Sequence, residues 1–167
     1  DFTHSGMLTR QELDEVERLV NEAVLANYPV DPIETDYRSA LKQGAIALFD
    51  EKYGDKVRMI RIGFPEEAIS QELCGGTHVS ETAEIGLFHI VSESSIGSGV
   101  RRIEAVTGRA AEELMRSRTR TIETVATQLS TTVVEVTERF AATLEEMEPR
   151  VRAAFGRVPV VPGSGAR

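Results

Sequence analysis

The sequence has 167 residues, 41% of them hydrophobic, and a formal net charge of −8. This length and apolar content are enough for one domain with a real core. The acidic balance argues against a general binder of polyanions, because phosphate binding needs an excess of Lys and Arg. A single cysteine excludes an internal disulfide, and nothing in the sequence indicates secretion. We therefore expect a cytoplasmic protein without a membrane span, and, since the chain begins with Asp1, a piece of a longer polypeptide.

The first half of the chain predicts helices and strands in a clear order. A helix is expected to begin at Thr9, because Thr9 and Glu12 form a capping-box pattern before a run of apolar residues at helical spacing. Residues 30–36 are predicted to be extended and 37–49 to form a second helix. Further strands are predicted over 57–62, 68–73, 86–92 and 100–107, with turns at 53–55 and 97–99. This order predicts an α+β fold with two helices packed on a mainly antiparallel sheet, followed by a long C-terminal helix.

Residues 109–148 have the pattern of one long helix. They contain neither proline nor glycine, and apolar residues recur in steps of three or four on a narrow stripe. An unbroken helix of this length would extend about 60 Å, and its many threonines lower its intrinsic stability. We therefore expect it to need a partner helix, through which the protein could self-associate. The tail, 149–167, is rich in proline, glycine and arginine and is predicted to be disordered. The predicted divisions are thus 1–108, 109–148 and 149–167.

The pentapeptide from Cys74 to His78 is the strongest candidate for chemistry. A thiolate and an imidazole four residues apart are good zinc ligands, and Gly75 and Gly76 allow a tight turn. Two other interpretations stay open. Cys74 could be a structural cysteine beside an unrelated surface histidine, or it could be a nucleophile with His78 as its base and glycine N–H groups stabilising an oxyanion.

Other candidate site residues are fewer and less specific. His4 and His89 could ligate a metal by their chemistry, but neither has a partner at ligand spacing, so we expect ordinary histidines. Arg101 and Arg102 are adjacent, so on a strand they point to opposite faces. They are either two solvated charges, or one pairs with an acid while the other faces an anion. Residues 101–120 hold six arginines against three glutamates, which favours a specific anionic partner on an otherwise acidic protein.

Several of these stretches together resemble the editing domain of alanyl-tRNA synthetases. The matching stretches are ELCGGTHV at 72–79, Thr82, IGLF at 85–88 and GVRRIEAVTG at 99–108, with weaker matches in DFTH at 1–4, ALF at 47–49 and EKYGD at 51–55. The resemblance is dense over 1–108 and looser in the arm that follows. A related module of threonyl-tRNA synthetases shares the Cys-x-x-x-His spacing, but the run at 99–108 is of the alanyl type.

The resemblance implies an activity and a set of site residues. The family charges tRNA(Ala) with alanine using ATP and Mg, in a half of the enzyme that these residues do not contain. Its editing domain hydrolyses serine, and to some extent glycine, wrongly attached to tRNA(Ala), with a bound zinc ion. Cys74 and His78 would be two zinc ligands. Residues of the motifs would contact the substrate or the acceptor end of the tRNA, namely Gly75, Gly76, Thr77, Arg101 and Arg102.

The sequence departs from the family in one respect. The family's other two zinc ligands form a His-x-x-x-His pair, which the implied alignment places upstream of Asp1, and no such pair occurs in the 167 residues. We therefore expect an editing-domain core truncated on its N-terminal side, which is inactive by itself. Two alternatives remain: a free-standing deacylase that acts in trans, and a non-catalytic module that binds tRNA or dimerises.

Overall fold

The structure, a computed structural model, describes residues 1–47 and 54–155. It divides into two compact units, Asp1–Glu113 and Leu114–Arg167. The strands of the described part are β1 (Phe2–Thr3), β2 (Val30–Asp36), β3 (Lys56–Phe64), β4 (Glu67–Leu73), β5 (Phe88–Gly97) and β6 (Val100–Thr107). Its helices are α1 (Arg10–Leu25), α2 (Tyr37–Lys42), α3 (Gly108–Gln128) and α4 (Val136–Phe155), with a short 3-10 helix at Thr82–Ile85.

The strands confirm the predicted α+β class with antiparallel pairing. They form two three-stranded sheets, in the orders β1-β6-β5 and β2-β3-β4, whereas the sequence predicted a single sheet. Every pairing between these strands is antiparallel. The chain moves from the second sheet to the first between β4 and β5, and the candidate loop, 74–78, is the beginning of this connection.

Helix α1 confirms the predicted start and binds the edge of β5. Thr9 is its N-cap, and the Thr9 and Glu12 side chains form the reciprocal bonds of a capping box. On the side facing the sheet, the Asn21 amide donates to the Phe88 carbonyl at 2.8 Å and accepts from the Phe88 N–H at 3.0 Å. A side chain thus replaces a neighbouring strand at this point, which leaves the start of β5 with paired backbone groups.

Helix α2 is shorter than predicted. The sequence predicted 37–49, but the helix ends at Lys42, because Gly44 adopts a left-handed φ of +85°. The next residues pair with β4: the Ile46 N–H donates to the Gln71 carbonyl at 2.9 Å, and the Leu73 N–H donates to the Ile46 carbonyl at 3.0 Å. The end of the predicted helix at 48–49 and part of the predicted turn at 53–55 lie outside the described residues.

A small core fixes the end of β4, from which the candidate loop departs. Met59 of β3 is fully buried and Leu73 of β4 is 6% exposed, and both pack with Ala40 and Ala45. Met59 and Leu73 are also directly paired across the two strands. The last residue before Cys74 is therefore held by backbone pairing and by burial together.

Two glycines of the first unit touch each other where the connection meets α3. Gly86 has a φ of +68°, and a Cβ there would lie 3.0 Å from the Cα of Gly108. Gly108 has a φ of +53°, and a Cβ there would lie 3.2 Å from the carbonyl oxygen of Ile85. Both positions need glycine for its left-handed backbone and for the close approach.

The predicted single helix over 109–148 is wrong, because two helices occupy this stretch. Ser130 adopts a left-handed φ of 54° after α3, and the Thr131 N–H donates back to the Ala126 carbonyl at 3.0 Å. The Thr132 hydroxyl then donates to the Glu135 carboxylate at 3.0 Å just before α4 begins. The break falls in the β-branched run 131–134, where helix propensity is low.

The predicted disordered tail is wrong for its first residues. Pro149 lies inside α4, which continues to Phe155. A proline removes one helical hydrogen bond, and the flanking residues, such as Glu148 and Arg150, are good helix formers. The rest of the predicted tail, 156–167, lies outside the described residues. Among the described residues, no helix is long and apolar enough to cross a membrane.

Candidate metal centre

The candidate loop, residues 74–78, leaves the core and becomes exposed. Leu73 is buried, Cys74 is half-buried with a free thiol, and residues 75–78 are exposed. The loop has no regular secondary structure. Cys74 is therefore anchored next to the sheet, while His78 reaches the surface.

The side chains of Cys74 and His78 both lie near Gly76. A Cβ built on Gly76 would lie 3.6 Å from the Cys74 Sγ and 3.9 Å from the His78 Cε1. Both candidate ligands thus come within 4 Å of the position that a Gly76 side chain would take, and glycine keeps that position open. Apart from its chain neighbours, one of which is Cys74, a Cβ on Gly75 would meet no atom within 4 Å.

Arg58 of β3 holds this loop, and the sequence reasoning missed it. Its Nη1 donates to the carbonyl of Cys74 at 3.2 Å and to the carbonyl of Gly76. The carbonyl of Arg58 accepts from the Cys74 N–H at 3.1 Å. The alternating basic and apolar residues of β3 had indicated only a strand with one solvated face, and nothing in that pattern distinguishes Arg58 from Arg61, which pairs with Asp31.

The other two histidines have different neighbours. The His4 Nδ1 lies 2.8 Å from the Gly6 carbonyl oxygen. His89 is 8% exposed, and its Nδ1 lies 3.0 Å from the Glu17 carboxylate. Each histidine ring thus has a protein partner, the Gly6 carbonyl for His4 and the Glu17 carboxylate for His89, as expected for ordinary histidines.

The donor set fits half of a zinc site. Cysteine sulfur and histidine nitrogen are the ligands of structural and catalytic zinc, which takes three or four from the protein. No group of three or more His, Cys, Asp or Glu side chains in 1–47 and 54–155 is arranged to hold a metal ion. The described residues therefore supply the converging pair alone.

The geometry gives less support to a nucleophilic Cys74. Such a site needs a third group that orients the histidine. Within the described residues, the His78 ring has no hydrogen-bond partner, and it is exposed. The described residues therefore lack the oriented base that a nucleophilic Cys74 would need.

Arg101 and Arg102 lie in the other sheet, each with its own carboxylate partner. Arg101 donates through Nε and Nη2 to Glu93 at 2.5 and 2.6 Å, and these side chains are only 13% and 3% exposed. The hydrogen bond from Arg101 holds the pKa of Glu93 below its ordinary value, and Glu93 in turn raises the pKa of Arg101. Arg102 donates to Asp1 at 2.7 and 2.9 Å, and both side chains are about half exposed.

The structure thus brings the predicted site residues into two groups. Residues 74–78 form one loop after β4, and Arg101 and Arg102 lie side by side on β6. Arg101 is inside an ion pair of the fold, and Arg102 is the more accessible of the two. Their predicted contact with tRNA or substrate stays a prediction.

Comparisons with known proteins confirm the resemblance. A family model described as the threonyl and alanyl tRNA synthetase second additional domain matches residues 57–104, which include the candidate loop and both arginines. Curated alanine–tRNA ligases match nearly the whole chain. The protein of Bacillus subtilis is 48% identical over 152 residues, which are 91% of this chain and 17% of the relative. That of Pediococcus pentosaceus is 55% identical over 117 residues, which are 70% of this chain and 13% of the relative. That of Thermotoga petrophila is 46% identical over 159 residues, which are 95% of this chain and 18% of the relative.

The chain spans less than a fifth of the length of these relatives. The family model covers most of β3, all of β4 and β5 and most of β6, the strands next to the loop and under the arginines. By this similarity, the chain contains the second additional domain of threonyl and alanyl tRNA synthetases and resembles the alanine–tRNA ligases over most of its length.

Proposed function

We propose that the chain is part of an alanine–tRNA ligase and carries part of the site that hydrolyses serine or glycine wrongly attached to tRNA(Ala). The observation that carries this proposal is the convergence of Cys74 and His78 on Gly76. The similarity to alanine–tRNA ligases over nine-tenths of the chain supports the same activity. The whole enzyme would join alanine to tRNA(Ala), with ATP and Mg bound by parts of the enzyme other than this chain.

A second hydrolytic site has a physical reason. Serine differs from alanine by one hydroxyl group, and a small apolar pocket rejects an added hydroxyl only weakly, by about 100-fold. A separate site that hydrolyses the wrong ester restores accuracy. Its substrate would be the acceptor end of the tRNA, which agrees with the accessible Arg102 on β6.

Cys74 and His78 would hold the zinc ion, together with the His-x-x-x-His pair that the resemblance implies. A zinc ion there would supply Lewis-acid polarisation of a water or of a polar group of the substrate. This chain would supply the Cys74 thiolate and the His78 imidazole, and Gly76 keeps open the position near both side chains. Because the described residues supply two ligands, the chain by itself should bind zinc weakly and lack activity.

A second candidate role is association between two copies of the chain. On α4, Phe140, Leu144 and Met147 recur at helical spacing and are 53%, 53% and 49% exposed. A second copy could cover this stripe. Sedimentation of the chain and of a Leu144→Glu variant tests this role, since a dimer through α4 must dissociate on that substitution, and a chain that sediments as a monomer at all concentrations contradicts it.

Hydrolysis of seryl-tRNA(Ala) tests the editing role. The chain is compared with a version extended upstream to include the histidine pair, and with Cys74→Ala in the extended version. We expect activity in the extended chain alone, dependent on zinc and lost in Cys74→Ala. Activity of the 167 residues by themselves would favour a free-standing deacylase, and an inactive extended chain would contradict the editing proposal.

A further inference from the structure

Arg58 contacts the backbone of the candidate loop, residues 74–78, at two carbonyls. Its Nη1 donates to Cys74 and to Gly76, the residues on either side of Gly75. Within the described part of the chain, no other side chain hydrogen-bonds to the backbone of these five residues. The loop is otherwise exposed and irregular, so its shape depends on this one side chain more than on any other.

The backbone of Arg58 also binds the backbone of Cys74, in addition to the contact from the Arg58 side chain. The Arg58 carbonyl accepts the Cys74 N–H at 3.1 Å, while the Arg58 side chain donates to the Cys74 carbonyl at 3.2 Å. Both polar groups of the Cys74 backbone are thus bound by one residue. The Cys74 N–H and carbonyl belong to the two peptide units that flank Cys74, and each unit is planar. Holding both groups orients both units, which fixes the direction in which the Cys74 side chain leaves the backbone.

The contact at Gly76 extends this control to the second ligand. Holding the Gly76 carbonyl fixes the peptide unit between Gly76 and Thr77, which lies one residue before His78. The donor is a charged guanidinium, and hydrogen bonds from charged donors are roughly twice as strong as neutral ones. Arg58 lies on β3 next to Met59, which is fully buried, so the loop is tied to a strand that belongs to the core.

We propose that Arg58 is a positioning residue that preorganises Cys74 and His78 as a ligand pair before any metal binds. The role in metal binding rests on the proposed function, but the ordering of the loop does not. The ordering predicts that the loop keeps its shape in the metal-free chain, with both ligand side chains near Gly76.

Backbone ¹⁵N relaxation of residues 75–78 tests the ordering without any metal. Arg58→Met keeps an apolar stem of similar length and removes the donors. In this variant we expect order parameters to fall from about 0.85 toward 0.6 or below, the range of flexible backbone. Arg61→Met is the matched control, because Arg61 lies on the same strand but donates to Asp31 at 2.7 Å. Loop order that is unchanged in Arg58→Met, or lost equally in Arg61→Met, overturns the proposal.

A conservative variant separates hydrogen bonding from general damage to β3. Arg58→Lys restores a charged donor on a shorter stem, and we expect it to recover part of the lost order. A folded Arg58→Lys with loop order as low as in Arg58→Met would overturn the assignment to these hydrogen bonds. The amide resonances around Met59 report that the strand itself is intact.

Titration with Co²⁺, as a spectroscopic substitute for zinc, tests the consequence for the ligand pair. Cys74 is the only cysteine, so any cobalt–thiolate absorption band reports this residue. We expect Arg58→Met to weaken binding by about 10- to 100-fold, the usual effect of losing a group that orients a ligand, and Arg61→Met to leave it unchanged. Equal affinity in Arg58→Met and the unsubstituted chain overturns the positioning role. No band in the unsubstituted version extended upstream to include the histidine pair, with loop order still lost in Arg58→Met, supports the ordering by Arg58 and contradicts the metal pair of the proposed function.

Discussion

Substitution of Gly76 by alanine should separate metal binding from stability. The new methyl group would lie 3.6 Å from the Cys74 Sγ and 3.9 Å from the His78 Cε1. Both are ordinary van der Waals distances, and the backbone of Gly76 is not left-handed. The metal-free fold should therefore accept Gly76→Ala, and could gain about 0.4–1 kcal/mol from the lower entropy of the unfolded chain.

Metal binding should respond differently. A zinc ion held by both side chains would lie about 2.3 Å from the cysteine sulfur and about 2.0–2.1 Å from the histidine nitrogen, and we expect a methyl group that contacts both side chains to crowd it. Overpacking costs about 1–3 kcal/mol, which corresponds to an affinity lower by about 5- to 150-fold. Gly75→Ala is the matched control, because its methyl group would meet no atom within 4 Å apart from those of its chain neighbours.

The two variants are compared by Co²⁺ titration and by urea unfolding without metal. The expected result is weaker cobalt binding in Gly76→Ala alone, with unfolding free energies at or above that of the unsubstituted chain in both. Equal loss of affinity in both variants would show that loop flexibility, rather than the space at Gly76, matters. Unchanged affinity in Gly76→Ala would refute the placement of the metal between the two side chains.

Three further predictions concern the fold around the site. Thr82→Val leaves two part-buried backbone groups unpaired. A fully buried group would cost about 1–3 kcal/mol, so for this part-buried pair urea unfolding should show a loss of about 2–4 kcal/mol. The exposed control Thr77→Val should stay within about 0.5 kcal/mol, and equal losses would contradict this. Gly108→Ala forces a side chain onto a left-handed backbone, at about 1–2 kcal/mol, whereas Gly97→Ala, with nothing near its new methyl group, should be much milder by the same assay. The pKa of Glu93 is lower in the folded state than its ordinary value of 4.5. The ion pair of Glu93 therefore stabilises the fold fully above pH 4.5, and this stabilisation is lost as the pH falls through the lower pKa of the folded state. The Glu93→Gln variant should therefore have a lower free energy of unfolding at pH 7, and that free energy should fall less steeply between pH 5 and 3 than in the unsubstituted chain. If the free energies of the two proteins fall in parallel with pH, the ion pair does not contribute.

The prediction for Thr82 follows from its two short contacts. Thr82 is 4% exposed, and its hydroxyl donates to the Ala23 carbonyl at 2.7 Å and accepts from the Tyr28 N–H at 2.9 Å. Valine has nearly the same shape but can make neither bond. The hydroxyl thus joins the connection after the candidate loop to the end of α1, which no pattern in the sequence indicated.

Local signals in the sequence predicted the elements well where those signals act alone. The capping box at Thr9 gave the start of α1, and β4 begins within one residue of its predicted position, whereas β5 begins two residues and ends five residues later than predicted. The predictions were wrong where a single residue or a tertiary contact decides. Gly44 ends α2 early and releases Ile46 to pair with β4, and a left-handed Ser130 divides the expected long helix.

The candidate site shows the same limit. The spacing of Cys74 and His78 was enough to suggest a ligand pair, because it depends on nearby residues. The role of Arg58 was not visible, since it comes from a residue sixteen positions away that reaches the loop through strand pairing. A basic residue in an alternating strand looks the same in sequence whether its side chain faces solvent or binds two carbonyls.

The order of the loop therefore does not need the metal. A loop of two glycines loses much conformational entropy on being fixed, and if zinc alone fixed it, that cost would lower the apparent zinc affinity. Here the sheet holds Cys74 by backbone pairing and Arg58 holds the carbonyls on both sides of Gly75. The cost is met by the fold of the first unit, and the two candidate ligands already lie near Gly76 before a metal would bind.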